Sequence, residues 1–146
     1  GAYGNITSAA ALRSYTRAYV GLIEWGLFAF IAHPDMFGNC YLEWDAEADA
    51  CSREILAAAE AHGVPLEING YGFRKAWVET PQGSRPMYPW MRFWETAAKF
   101  DIEVVLSSDA HRPEDVAANL QDAAGIAAQF GLRIADLSCL EPDRQQ

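Results

Sequence analysis

Val104-Val105-Leu106-Ser107-Ser108-Asp109-Ala110-His111 reads as an apolar strand that runs out into a carboxylate and an imidazole two residues apart. Side chains at i and i+2 of a strand share a face, so Asp109 and His111 are expected to converge where the strand stops, a geometry suited to a metal ion. The same layout recurs twice upstream. Leu27-Phe28-Ala29-Phe30-Ile31-Ala32 runs into His33-Pro34-Asp35, and Pro65-Leu66-Glu67-Ile68-Asn69 runs into Gly70. Three apolar strands ending in polar groups, with helical stretches between them, predict an α/β fold whose chemistry collects at the carboxyl ends of a parallel sheet.

The intervening segments fit that layout. Leu12, Tyr15, Tyr19, Leu22 and Ile23 recur at three- and four-residue spacing, which predicts an amphipathic helix from Ser8 to about Gly26, capped by Thr7 or Ser8. A strand is expected at 27–33, then a polar loop carrying Gly38 and Asn39. Asp45 suits the cap of a second helix that stops before Gly63. A second strand occupies 65–69, and 71–87, rich in Gly, Pro and charge, reads as a long loop. Pro89 suits the first turn of a third helix running to about Phe100; a third strand covers 102–107; Pro113 opens a fourth helix ending at Gly131. Residues 132–137 read as a short strand or irregular. The order αβαβαβα predicts three to four parallel strands with covering helices. Ala29, Ile31 and His33, then Glu67 and Asn69, then Val105, Ser107, Asp109 and His111, are expected on the polar-ended face. Phe28, Phe30, Leu66, Ile68, Val104 and Leu106 are expected under helices. Three strands cannot close a barrel, so two sheet edges should be bare.

Bulk properties narrow the function classes. With 51% hydrophobic residues among 146, the chain can bury the core of one domain, and no linker or repeat divides it. A net charge of -9 argues against nucleic acid or an anionic membrane as partner. The three cysteines, Cys40, Cys51 and Cys139, share no metal-type spacing and imply no disulfide framework. No apolar run has membrane-spanning length and no signal-peptide pattern opens the chain, so a cytoplasmic protein is expected.

Within this frame His33, Asp109 and His111 are the central candidates for metal ligation. His62, near the end of the second helix, reads as a structural cation at a helix C-terminus. Glu67, on an inner strand face beside Asn69, must be paired, protonated or metal-bound if buried. In so acidic a chain the loop cations stand out. Arg74 and Lys75 follow the second strand, Arg112 follows His111, and Arg85 lies in the long loop. A guanidinium there can clamp a phosphate bidentately; the alternative, charge balance with acids such as Glu79 and Asp115, is preferred for Arg85. Trp77, Tyr88, Trp90, Phe93 and Trp94 read as packing.

These residues carry a family resemblance. Gly26-Leu27-Phe28, Ile31-Ala32-His33-Pro34-Asp35, then Leu66-Glu67-Ile68-Asn69, Gly72-Phe73-Arg74-Lys75, then Ser108-Asp109-Ala110-His111-Arg112-Pro113-Glu114-Asp115-Val116 resembles the C-terminal half of histidinol-phosphate phosphatases of the PHP (polymerase and histidinol phosphatase) superfamily. The resemblance spans roughly residues 15–131. It implies that 1–146 is the C-terminal portion of a distorted (β/α)7 barrel with two or three divalent metal ions, Zn, Fe or Mn, at the strand ends. His33, Asp109 and His111 match metal ligands, and Arg74 and Arg112 match positions suited to the substrate phosphate, with Lys75, Glu67 and Asn69 beside them. The implied activity is hydrolysis of L-histidinol phosphate to L-histidinol in histidine biosynthesis, with Asp109 and His111 as catalytic residues. Two rivals stand beside it: a PHP phosphoesterase of other specificity, and a non-catalytic half-barrel serving as an assembly module. The chain departs from the family in lacking a His-X-His strand, and only three histidines are present. Its own residues therefore offer each ion one or two ligands, fewer than a stable site needs. The rest are expected from a missing N-terminal half or from another copy of the chain.

Overall fold

A computed structural model describes residues 5–138. Helix α1 (Ala9–Trp25) opens at Ser8, whose side chain accepts a hydrogen bond from Ala11 N–H, and closes at Gly26 in the left-handed conformation. Its spacing-derived stripe buries Leu12, Tyr15, Tyr19 and Ile23, while Leu22 faces solvent. Helix α2 (Ala46–His62) is capped by the Asp45 carboxylate on Ala48 N–H and ends at left-handed Gly63. The two helices pack together and are tied at the surface by a bidentate Arg13–Glu47 pair.

Strand β1 (Leu66–Asn69) pairs in parallel with β4 (Glu103–Ser107), which pairs in parallel with β5 (Arg133–Ile134). The sheet order is β1-β4-β5. The architecture is thus mixed α/β, a three-stranded parallel sheet flanked by helices. The fully buried Leu66, Ile68 and Val104 meet Ile55 and Leu56 of α2, Phe93 and Trp94 of α3 (Met91–Ala97) and Ala123 of α4 (Leu120–Phe130) in one core. Each such side chain withdrawn from water contributes about 1.5–3 kcal/mol before entropy is counted. No helix of the described residues is long and apolar enough to cross a membrane.

Several expected elements are shorter or different. The strand expected at 27–33 contracts to one parallel bridge between Ile31 and Leu66, made by Ile31 N–H to the Pro65 carbonyl and Glu67 N–H to the Ile31 carbonyl. Phe28 is exposed and Phe30 only half-buried, where both were expected under helices, and a positive φ of 32° at His33 ends the extension. The loop 71–87 holds a 3-10 turn, Gly70–Arg74, and an antiparallel hairpin of β2 (Val78–Thr80) and β3 (Gly83–Arg85). The third helix starts after Pro89, with Trp90 as its N-cap. Pro113 opens only the 3-10 turn Pro113–Asp115, because the left-handed Asn119 separates it from α4. Leu132–Leu137 contributes the two residues of β5.

Candidate functional site

Parallel pairing sets Glu67 beside Val105 and Asn69 beside Ser107. The two polar residues of β1 therefore point to one face at the carboxyl end of the sheet. Both are buried, so their polar atoms need partners. Glu67 Oε2 accepts from His33 N–H at 2.8 Å and from Asn69 Nδ2 at 3.2 Å. Asn69 Nδ2 gives its other proton to Asp109 Oδ2 at 3.1 Å, and Asn69 Oδ1 accepts from Tyr71 N–H at 2.9 Å. One amide thus bridges two carboxylates and fixes the start of the following turn.

Asp109 does not lie on the strand, which ends at Ser107. It sits beyond it with φ of 46°, and His33 likewise has φ of 32°. A non-glycine residue in this region costs on the order of 1–3 kcal/mol and persists only where its surroundings over-determine it. They do so here. Asp109 N–H donates to Ser107 Oγ at 2.9 Å, its carboxylate is held by Asn69, and its carbonyl lies 2.8 Å from His111 Nδ1. A carbonyl only accepts, so His111 Nδ1 carries a proton, which in the neutral ring leaves the lone pair on Nε2. Asp109 and His111 therefore come together, through a turn and not through strand alternation. The turn that follows β1 adds a further contact: the His111 ring stacks on Tyr71 at 4.7 Å.

The cations divide. Arg74 Nη2 donates to the Ser108 carbonyl at 2.7 Å, and Nη1 to Asn119 Oδ1 at 3.0 Å and the Ala118 carbonyl at 3.4 Å; Asp115 lies 4.0 Å from its Nε. Its guanidinium holds the 108–119 segment to the Gly70–Arg74 turn. Lys75 Nζ lies 5.0 Å from the centre of the Tyr71 ring and 4.8 Å from that of Tyr88. Arg112 is exposed directly after His111. Arg85 is not balanced by Glu79 or Asp115: its two terminal nitrogens donate to the carbonyls of Gly38, Tyr41, Leu42, Pro86 and Met87, and its plane lies 3.7 Å over Trp90. Burial pushes this guanidinium down to about 10. His62 lies in the last turn of α2, Cys40 is half-buried, Cys51 is buried, and Cys139 lies outside the described residues.

Sequence reasoning missed three contributors. Tyr88 is buried beside the site, and burial, followed by the Asp109 and Asp35 carboxylates, pushes its phenol well above the usual range. Tyr71 is the ring on which His111 rests. Tyr19, assigned only to the core stripe, has its hydroxyl 3.3 Å from His33 Nδ1. The signal for Tyr71 lay in its position after the Asn69-Gly70 strand end; Tyr19 offered none beyond helical spacing.

Among the described residues no three His, Cys, Asp or Glu side chains are grouped so as to hold a metal ion. His33, Asp109 and His111 are donors of suitable chemistry, but they do not by themselves make a complete metal centre. No protein-family model, curated protein or solved structure matches the chain.

Proposed function

We propose that the carboxyl end of this sheet is one side of a phosphomonoesterase site for a small phosphorylated substrate, with L-histidinol phosphate the substrate that the family resemblance favours. The observation that carries the reading is the hydrogen-bonded run His33, Glu67, Asn69, Asp109, which braces two non-glycine residues in left-handed backbone, one on either side of β1. Strain held in place by a buried polar network is expected where a fold positions chemistry. In this reading Asp109 presents a carboxylate oriented by Asn69, and His111 presents Nε2 from a ring fixed by the Asp109 carbonyl and by Tyr71. Lys75 and Arg112 are the cations left to meet a phosphate, since Arg74 is engaged with backbone.

A metal-dependent reaction needs donors beyond those grouped here, so the site is finished by a further polypeptide segment, from an N-terminal half or from another copy of the chain. An open apolar groove of about 410 Å³, lined by Tyr19, Leu22, Phe28, Ile31 and His33, runs along the sheet edge where such a segment would add. The incomplete donor set equally favours one rival, a non-catalytic half-barrel that works in assembly.

The test titrates the whole chain with Zn, then with histidinol phosphate, and follows the histidine side chains and the backbone amides by NMR. The hydrolytic reading expects the His33 and His111 signals to move with metal, the Lys75 and Arg112 region to respond to the phosphate, and Asp109→Asn to lose the metal-dependent part. Histidine signals unmoved by either addition at millimolar concentration would sink it in favour of the assembly module.

A further inference from the structure

Lys75 closes the turn that leaves β1, its N–H bonded to the Gly72 carbonyl at 3.2 Å. Its side chain is half-buried, and Nζ lies 5.0 Å from the centre of the Tyr71 ring and 4.8 Å from that of Tyr88. Arg13, Arg53, Arg74, Arg92 and Arg133 each lie within 4.0 Å of a carboxylate oxygen. Lys75 does not: among the described residues its ammonium makes no ion pair and no hydrogen bond. In a chain of 20 acidic and 11 basic residues such a cation would ordinarily meet an acid.

Aromatic faces attract an ammonium through the ring quadrupole without cancelling its charge. A carboxylate in the same place would cancel the charge and take its protons. Both rings are themselves fixed. Tyr88 is buried, and its carbonyl oxygen packs so closely on Gly72 that a Cβ there would fall 1.8 Å away. Tyr71 is held through its N–H by Asn69 Oδ1 at 2.9 Å and through its ring by His111, stacked at 4.7 Å. Burial, followed by the Asp109 and Asp35 carboxylates, pushes the Tyr88 phenol well above its usual range, so it is neutral and meets Lys75 as a ring and not as a phenolate. The run of contacts His111, Tyr71, Lys75, Tyr88 sets the ammonium beside the Asp109–His111 turn. A lysine side chain carries much rotamer entropy, and rings that restrict it in advance spare a ligand that cost.

We infer that Tyr71 and Tyr88 are positioning residues, which hold the Lys75 ammonium uncompensated so that it receives an oxyanion at this end of the sheet. Arg74, its guanidinium 4.9 Å from the centre of the same Tyr71 ring and bonded to the Ser108 carbonyl, adds to the positive potential there. That the oxyanion is a substrate phosphate rests on the hydrolytic reading above; the holding of the ammonium and its affinity for phosphate do not.

The experiment uses the full chain in chelator and titrates inorganic phosphate against chloride at equal ionic strength, following the lysine side chains by NMR. The exposed Lys99, the chain's other lysine, is the internal reference. In wild type the Lys75 ε-methylene protons should lie upfield of those of Lys99, shifted by the two rings, and should move with phosphate while those of Lys99 do not. Lys75→Met should weaken phosphate binding by at least about tenfold, the scale of one charged hydrogen bond. Tyr71→Leu should remove part of the upfield shift and weaken phosphate about twofold to fivefold; Tyr71→Phe, which keeps the ring, should restore both. In a Lys75→Met background Tyr71→Leu should change phosphate affinity no further, whereas a merely structural role for the ring would cost the same with or without the lysine. Tyr88→Leu and Tyr88→Phe repeat the comparison, and the Tyr71 variants decide alone if Tyr88→Leu does not fold. Lys75 protons at the Lys99 position or unmoved by phosphate, an affinity unchanged in Lys75→Met, or an equal loss on Tyr71→Leu in both backgrounds overturns the inference. A Lys75 response to phosphate in a chain whose histidines ignore Zn would uphold the inference and remove the hydrolytic reading. Histidines that respond to Zn beside a Lys75 indifferent to phosphate would do the reverse.

Discussion

Asp35 should make this protein more stable in mild acid than its composition suggests. Its carboxylate is fully buried; Oδ2 accepts from Trp90 N–H at 2.7 Å and from the Trp94 indole at 2.9 Å, while Oδ1 has no hydrogen-bond partner among the described residues. Burial outweighs those two bonds and pushes the carboxyl from 3.8 up to about 6. Two units at about 1.36 kcal/mol each amount to about 3 kcal/mol. The folded state holds this proton more tightly than the unfolded chain. The contribution is therefore present in full below the unfolded value near 4, and is lost as pH rises through the folded value near 6. Asp35→Asn keeps an oxygen for both tryptophan donors and cannot titrate. Its amide nitrogen finds no acceptor where Oδ1 stood, a cost of about 1–3 kcal/mol that does not change with pH. The slope is therefore the informative quantity. Urea unfolding of both proteins in chelator, between about pH 4 and pH 7, should show the variant gaining about 3 kcal/mol on wild type as pH rises. A difference that stays flat across that interval would refute the assignment of a strained ionised carboxylate at this position.

Arg85→Met should lower stability by at least the roughly 1.5–3 kcal/mol of one charged hydrogen bond, read from the denaturation midpoint, because five carbonyls lose their donors together. Arg85→Lys should recover little of this, since one ammonium cannot span both sides of the fork. Gly72→Ala should destabilise by about 1–3 kcal/mol or more, since its Cβ would fall 1.8 Å from the Tyr88 carbonyl oxygen; a midpoint equal to wild type would show that the turn has room. Arg74→Ala should raise hydrogen exchange across 108–119 before it alters phosphate affinity, given its bonds to Ser108, Ala118 and Asn119; weakened phosphate binding with unchanged exchange would return the guanidinium to the substrate.

Helices α1 and α2 were legible to within a residue or so because their signals are local: Ser8 and Asp45 cap, Gly26 and Gly63 close, and the spacing between them needs no tertiary information. Strands β1 and β4 were legible because both are short apolar runs buried in a parallel sheet. The stretch 27–33 carries the same apolar signal but has a neighbour on one side only, so β propensity without a second partner yields a single bridge. Pro113 failed as a helix start for a different reason. It fixes one residue, whereas the left-handed Asn119, held by Arg74 and Asp122, decides where α4 begins. The pairing of Asp109 with His111 was expected for the wrong geometric reason, since the alternation of a strand does not extend past Ser107. Contacts such as Tyr19 with His33 span helix and turn, and no periodicity announces them.

The polar groups at this end of the sheet consume one another's hydrogen-bonding capacity. Asn69 spends both amide protons on carboxylates and its oxygen on Tyr71 N–H, so it cannot turn without breaking three contacts. Glu67, buried and doubly hydrogen-bonded, fixes the His33 backbone, and the Tyr19 hydroxyl lies 3.3 Å from Nδ1 of the His33 ring. Asp109 gives its carbonyl to His111 and shares its carboxylate with Asn69. Each strained residue is thus held from two directions by groups that belong to different elements: α1 and β1 for His33, β1 and β4 for Asp109. Displacing β1 against β4 by one residue would exchange Glu67 and Asn69 for Leu66 and Ile68 on the polar face and unmake both turns at once. The sheet register, secured by the buried Leu66, Ile68 and Val104, is therefore what sets the geometry of the site.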